Sequence, residues 1–357
     1  MQPTATIPAM EAAFITVDGT RAAANETDVR KLLQAGSPFW LDLHGSDDET
    51  THLLSDVFGF HPLAVEDAEQ FGQRPKVDDY DDYVLIVLYG APTRRNGPLV
   101  ELHCFYSEQY LVTVHREPSP ELHQLRERLA QSIHGQKSPI MLLHAVLDTL
   151  VDTFFPALAE FDDEIDELED AILARPTVDQ LGRLFEMKRS LIAIRKVVTP
   201  ARDTFAGVVS GVGQLPGMTP DAERYFRDLY DHLIRISDLV DSYRDLLSGV
   251  LDTHLSTVSN RLNVIMKQLT IIATVFLPLT YLTGFFGQNF AVLVGWIESL
   301  PAFLIFGIGL EVLAVVLLLL MFWKRGWMGN ETAAPQPQPQ PSSESRRPRK
   351  LRLAHKA

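Results

Sequence analysis

Cysteine is almost absent. Cys104 is the only one in 357 residues, which excludes an intrachain disulfide and a multi-cysteine zinc site. Basic residues are scarce beside acidic ones: 32 Lys and Arg face 46 Asp and Glu, and the net charge of −14 argues against nucleic acid as a main partner. No phosphate-binding loop is present; the one glycine-rich stretch, 207–217, has no lysine and reads as a plain loop. The eleven histidines form no H-x-x-x-H pair, and no nucleophile–base set stands out, so the chain does not read as an enzyme. The first 30 residues lack the basic start and apolar core of a signal peptide.

Charge is missing in a second sense, locally. Residues 269–286 carry none, and 300–323 carry one, Glu311. Each stretch approaches the roughly 20 apolar residues that cross a bilayer. Arg261 and Lys267 precede the first, Lys324 and Arg325 follow the second, and the connection 287–299 has no Lys or Arg. The positive-inside rule then puts both termini in the cytoplasm of a multi-pass inner-membrane protein. Trp323, Lys324, Arg325 and Trp327 read as an interface anchor. The tail 331–357 has six Lys and Arg against two Glu, a net +4, so the preceding chain carries −18.

Four regions follow. Residues 1–137 read as a cytoplasmic α/β domain, with strands at 39–43, 83–89, 99–106 and 110–115 and helices at 47–58, 62–70 and 120–133. Residues 138–262 read as a helical stalk. Ser138-Pro139 opens a helix that runs to Leu173, Arg175-Pro176 ends it, and a Thr177/Gln180 capping box starts an antiparallel partner reaching about Ser210. Thr219-Pro220 opens a third helix with no stop before Phe286; its length of about 100 Å exceeds the bilayer threefold. Residues 263–328 form the membrane region, with spans near 266–286 and 300–323 and an outer loop at 287–299. Residues 329–357, with their PQPQPQP run, read as a disordered basic tail.

Two spans per chain cannot enclose a polar path, so such a path needs several copies. Steps of three or four residues along the third helix collect Asp252, Ser256, Ser259, Asn263, Met266, Thr270, Ala273, Leu277, Thr280 and Gly284 on one face. This face offers oxygen ligands, small residues and a few large apolar ones. A ring of such helices would alternate neutral oxygens with hydrophobic constrictions, which suits a hydrated hard cation. Close helix packing accounts equally for the small and polar residues.

Beyond the first apolar run stands Gly287-Gln288-Asn289. Here the chain resembles the CorA family of divalent-cation channels, whose signature at this place is Gly-Met-Asn. The run Met266–Thr280 is similar to the family's first span. Further matches lie at 61–67 (HPLAVED), 73–76 (QRPK), 189–195 and 225–232 (YFRDLYDH), so the likeness covers roughly residues 35–328. The resemblance implies a funnel-shaped homopentameric channel: an α+β cytoplasmic domain, long stalk helices and a two-helix transmembrane region. It implies a selectivity filter at Gly287, Gln288 and Asn289. It implies pore-lining or gating positions at Asn263, Met266, Leu269, Leu277 and Thr280, and an acidic ring at Asp252. Thr270, preferred by the helical stripe, neighbours Leu269. Glu66, Asp67 and Asp228 match a regulatory cation site between subunits.

The implied function is a gated, electrochemically driven Mg²⁺ influx channel, with Mg²⁺ both transported and regulatory. Gln288 stands where the family has Met, and the ZntB branch, which moves Zn²⁺, also varies there. Zn²⁺, Co²⁺ or Ni²⁺ are therefore alternative cargoes on the same scaffold. A membrane-anchored scaffold without transport is the alternative from another class. Other acidic groups read more plainly. Asp78, Asp79, Asp81 and Asp82 lack EF-hand spacing and read as a solvated strand entry, and the acidic residues from Asp162 to Asp170 read as a solvated helix face. Glu311 reads either as a functional intramembrane acid or as a group packed on a neighbouring helix.

Overall fold

The computed structural model describes residues 11–16, 19–22, 26–36, 38–95, 97–131, 138–213, 215–288, 290–297 and 299–327. Asn289 and the tail 329–357 lie outside the described residues. The chain divides into two compact units between Thr257 and Val258.

The first unit is built on one sheet. Its strands are β1 (Glu11–Thr16), β2 (Gly19–Ala22), β3 (Phe39–His44), β4 (Lys76–Asp79), β5 (Val84–Gly90), β6 (Val100–Tyr106) and β7 (Tyr110–His115). Their order is β2-β1-β3-β7-β6-β5-β4; β3 and β7 are parallel and the other pairs antiparallel. Every residue of β5 and β6 is buried, so both faces of the central sheet are covered. The register Leu85↔Phe105 puts these two side chains on one face, where Phe60 stacks on Phe105 at 4.4 Å. Gly90 faces the other way. A Cβ there would meet Leu150 at 2.6 Å, so glycine allows a helix to dock directly on the strand.

The helices of this unit are α1 (Glu26–Ala35), α2 (Asp48–His52, continued by a π-helical turn Leu53–Val57), α3 (Pro62–Gln70), α4 (Pro120–Gln131), α5 (Pro139–Asp152), α6 (Phe154–Ala174) and α7 (Val178–Val209). The long helix α8 (Pro220–Phe286) starts here. The expected helix from Ser138 to Leu173 is interrupted at Thr153. Pro156 has no N–H for the preceding turn, and the Thr153 hydroxyl donates to Leu150 O at 2.6 Å while accepting from Ala91 N at 2.7 Å. The Thr177/Gln180 capping box forms in both directions. Arg183 of α7 pairs with Glu164 of α6 at 3.1 Å. Strands β1, β2 and β4 and helix α1 are additions to the expected set. β4, Lys-Val-Asp-Asp, is an edge strand whose charges discourage further pairing, which is why it does not read as a strand.

The second unit holds the rest of α8, then α9 (Ala291–Ile297), α10 (Leu300–Ala302), a π-helical segment Phe303–Gly309 and α11 (Leu310–Lys324). α8 runs through Pro278 to Phe286 as one helix. The expected outer loop contains α9. Three helical stretches are long and apolar enough to cross a membrane: Pro139–Ala174, Pro220–Phe286 and Leu300–Lys324. The most apolar window of the first is 44% buried within the chain, against 0% for the other two. The first is therefore a core helix, covered by the sheet at Gly90, while the other two leave their apolar surface to an outside partner.

Candidate functional site

Two helices of the first unit bring together a cluster that the sequence does not reveal. Docking of Leu150 on Gly90 fixes the end of α5, and Asp148 and Asp152, four residues apart, share one face there. Asp228 and His232, also four apart, share a face of α8. His144 joins the two helices, its Nε2 3.0 Å from Tyr225 O. His232 Nδ1 then sits 2.9 Å from Asp152 Oδ1 and 3.5 Å from Asp148 Oδ1, and its Nε2 lies 3.8 Å from Asp228 Oδ2.

One ligand atom from each of Asp148, Asp152 and His232 falls within 4.8 Å of the others. Asp148 Oδ1, Asp152 Oδ1 and His232 Nδ1 are buried atoms with no completed hydrogen bond. Burial, followed by the neighbouring Asp148 carboxylate, holds the Asp152 carboxyl above its ordinary value of 3.8, against the pull of His232. Converging, incompletely satisfied oxygens beside an imidazole nitrogen have the chemistry of a divalent-cation site.

Of the expected regulatory residues, Asp228 stands on the rim of this cluster. Glu66 and Asp67 lie on α3, and among the described residues no hydrogen bond or ion pair joins them to Asp228. Glu66 accepts from Gln70 Nε2 at 2.8 Å. Asp67 is 2.7 Å from Lys76 Nζ, which also reaches Asp78 at 2.6 Å. Burial works to lower Lys76, but its bonds to Asp67 and Asp78 outweigh burial and hold it above its ordinary value. The ammonium is the cation that neutralises Asp67 here.

The end of α3 is firmly held. Phe71 follows it at φ 55, a region costly for a bulky residue. Arg116 lies 4.4 Å over its ring, and the carboxylate of Glu101 accepts from Gly72 N at 2.5 Å and Gln73 N at 2.9 Å. Burial would raise Glu101, yet its bonds to His103, Gly72 and Gln73 prevail and hold it below its ordinary value.

On α8 the expected pore positions Asp252, Asn263, Met266, Leu269, Thr270, Leu277 and Thr280 are all exposed within the single chain. Thr270 donates its hydroxyl to Met266 O at 2.8 Å and Thr280 to Phe276 O at 2.8 Å. Such back-bonding satisfies the hydroxyl hydrogen and leaves oxygen lone pairs facing outward. Water molecules around a cation present hydrogens, so these are matching acceptors. Gly287 N donates to Thr283 O at 2.9 Å and closes the helix. Gln288 follows, its N–H on Phe285 O at 3.3 Å.

Converging carboxylates in an α+β body, and a long helix whose charge-free end turns hydroxyl oxygens outward, fit a membrane transporter of divalent cations. The model of the CorA-like Mg²⁺ transporter protein family matches residues 36–325. The Cobalt/magnesium transport protein CorA of Thermotoga maritima is 36% identical over 318 residues, covering 85% of this chain and 88% of the relative. The Zinc transport protein ZntB of an Enterobacter species is 27% identical over 283 residues, covering 78% and 85%. The complete structure of the CorA magnesium transporter from Methanocaldococcus jannaschii superposes with a TM-score of 0.75 at 22% identity, covering 90% of this chain and 100% of that one. The chain belongs to the CorA-like Mg²⁺ transporter family.

Proposed function

We propose that this protein is a Mg²⁺ channel of the inner membrane, assembled as a homopentamer and closed by divalent cations bound to its cytoplasmic body. The observation that carries the reading is the face of α8 on which Met266, Thr270, Leu277 and Thr280 follow one another, the two threonines turning back-bonded hydroxyl oxygens outward. Five copies of this face enclose a path of neutral oxygens separated by apolar necks. α11 forms an outer ring against lipid, and both termini face the cytoplasm. Asp252 gives an acidic inner mouth. The amide of Asn289 meets the hydrated ion outside, together with Gly287 and Gln288.

The gradient supplies the energy. Two charges moving through 100 mV release about 4.6 kcal/mol, enough for more than thousandfold accumulation. Mg²⁺ sheds water reluctantly, so an oxygen-lined path that holds it through its waters favours it over ions that seek nitrogen or sulfur. Regulation rests on Glu66, Asp67 and Asp228 between subunits, with Asp148, Asp152 and His232 behind Asp228. The imidazole in that cluster favours a second reading for the sensor alone: Co²⁺, Ni²⁺ or Zn²⁺ binds there more tightly than Mg²⁺.

Met266 and Leu277 stand about three helical turns apart on this face. Met266→Ala and Leu277→Ala each widen and wet a neck, so the Mg²⁺ leak through reconstituted vesicles is expected to rise severalfold. Unchanged leak in both variants, at matched protein levels, would show that this face does not line the path.

A further inference from the structure

The second apolar helix carries one acid, Glu311, at the start of α11. It stands 13 residues before Lys324, about 20 Å deep from that basic end. A carboxyl group at such depth is costly unless a partner satisfies it. The partner is on α8: the Thr283 hydroxyl lies 2.7 Å from Glu311 Oε1, and also 2.9 Å from Leu279 O in its own helix. It is a polar link between α8 and α11.

Thr283 has a second task. Its carbonyl accepts the N–H of Gly287 at 2.9 Å, the bond that ends α8 and begins Gly287-Gln288-Asn289. One residue thus holds the filter segment through its backbone and α11 through its side chain. Thr283 is also flanked on α8 by Thr280 and Gly284, which belong to the pore stripe.

We infer that Glu311 is a positioning residue for ion selection: by bonding Thr283 it fixes the height and rotation of the end of α8, and so the place of the filter. The inference rests on the channel reading. Glu311 touches no ion. Without it, the end of α8 loses a directed hydrogen bond to α11, and apolar packing, which slides more readily, does not replace it.

The test uses full-length protein in vesicles, with uptake of Mg²⁺ and Co²⁺ measured side by side. Glu311→Leu is expected to lower discrimination between the two ions about fivefold, the factor that one net hydrogen bond supports. Glu311→Gln keeps an acceptor for Thr283 and is expected to retain the wild-type ratio. Thr283→Val is expected to match Glu311→Leu, and the double variant to add nothing further. A wild-type ratio in both Glu311→Leu and Thr283→Val would overturn the inference. A second reading needs no flux: Gln288→Cys should react several times faster with an impermeant thiol reagent in the Glu311→Leu background, while buried Cys104 stays silent. Equal reactivity would overturn the inference even in assembled protein. Absence of flux in the wild type itself would instead sink the channel reading.

Discussion

Asn289→Ala is expected to abolish Mg²⁺ uptake while the oligomer stays assembled. α8 closes at Gly287, and Asn289 follows two residues later in sequence. A neutral amide there suits a hydrated ion, because its oxygen accepts hydrogen bonds from the ion's waters without stripping them. A carboxylate would hold the ion too tightly to release it. Alanine removes this acceptor from every subunit. Bonds in a charged setting are each worth about 1.5 kcal/mol or more, so five lost together exceed the roughly 2.7 kcal/mol of a hundredfold fall. Uptake by vesicles should drop at least about a hundredfold, with an unchanged elution volume in detergent. Normal uptake by an intact variant oligomer would remove Asn289 from the selection step.

The second large effect concerns gating. Asp67→Lys combined with Asp228→Lys is expected to abolish the protection from proteolysis that Mg²⁺ gives the wild type. In the proposed pentamer the surplus acidic charge of Glu66, Asp67 and Asp228, only partly offset by Lys76 at Asp67, would repel across each subunit boundary, and a divalent ion would cancel that repulsion. The ion biases the gate only through tighter binding to the closed state. A tenfold preference per site is worth about 1.4 kcal/mol. Five equal sites give about 7 kcal/mol, more than the approximately 5.5 kcal/mol that moves a gate from 1:99 to 99:1. Weak sites therefore suffice.

The variant places ammonium groups where the ions would sit. Lys76 already supplies such a group to Asp67 at 2.7 Å, so a cation bound there would compete with it and bind weakly, as feedback requires. A protease time course with and without Mg²⁺ reads the outcome. If the double variant is still protected only when Mg²⁺ is added, Asp67 and Asp228 are not the sensor.

Much of this architecture is legible in the sequence because local signals are strong. The Thr177 capping box, the Pro139 start of α5 and the uncharged end of α8 each announce themselves within a few residues. β7 matches its expected bounds because Tyr110–His115 is a β-branched run between turns. What is not legible depends on contacts between distant segments. Asp148 and Asp152 look like any acidic pair on a helix until α5 docks at Gly90 and brings His232, some 80 residues away, against them. Glu311 is conspicuous in the sequence, but its partner Thr283 is one of several threonines on α8, and nothing local marks it. The regulatory residues Glu66 and Asp67 come from resemblance alone. Among 46 acidic residues, no spacing rule would select them.

The most direct test of the account is metal flux into vesicles that contain the purified full-length protein. With an inside-negative potential, Mg²⁺, Co²⁺, Ni²⁺ and Zn²⁺ are offered in turn at equal concentration. The account predicts rapid Mg²⁺ entry that follows the potential, needs no nucleotide and slows as Mg²⁺ rises on the cytoplasmic face. Zn²⁺ entry with no Mg²⁺ entry would contradict the assigned cargo, and no entry of any of the four ions would contradict the channel itself.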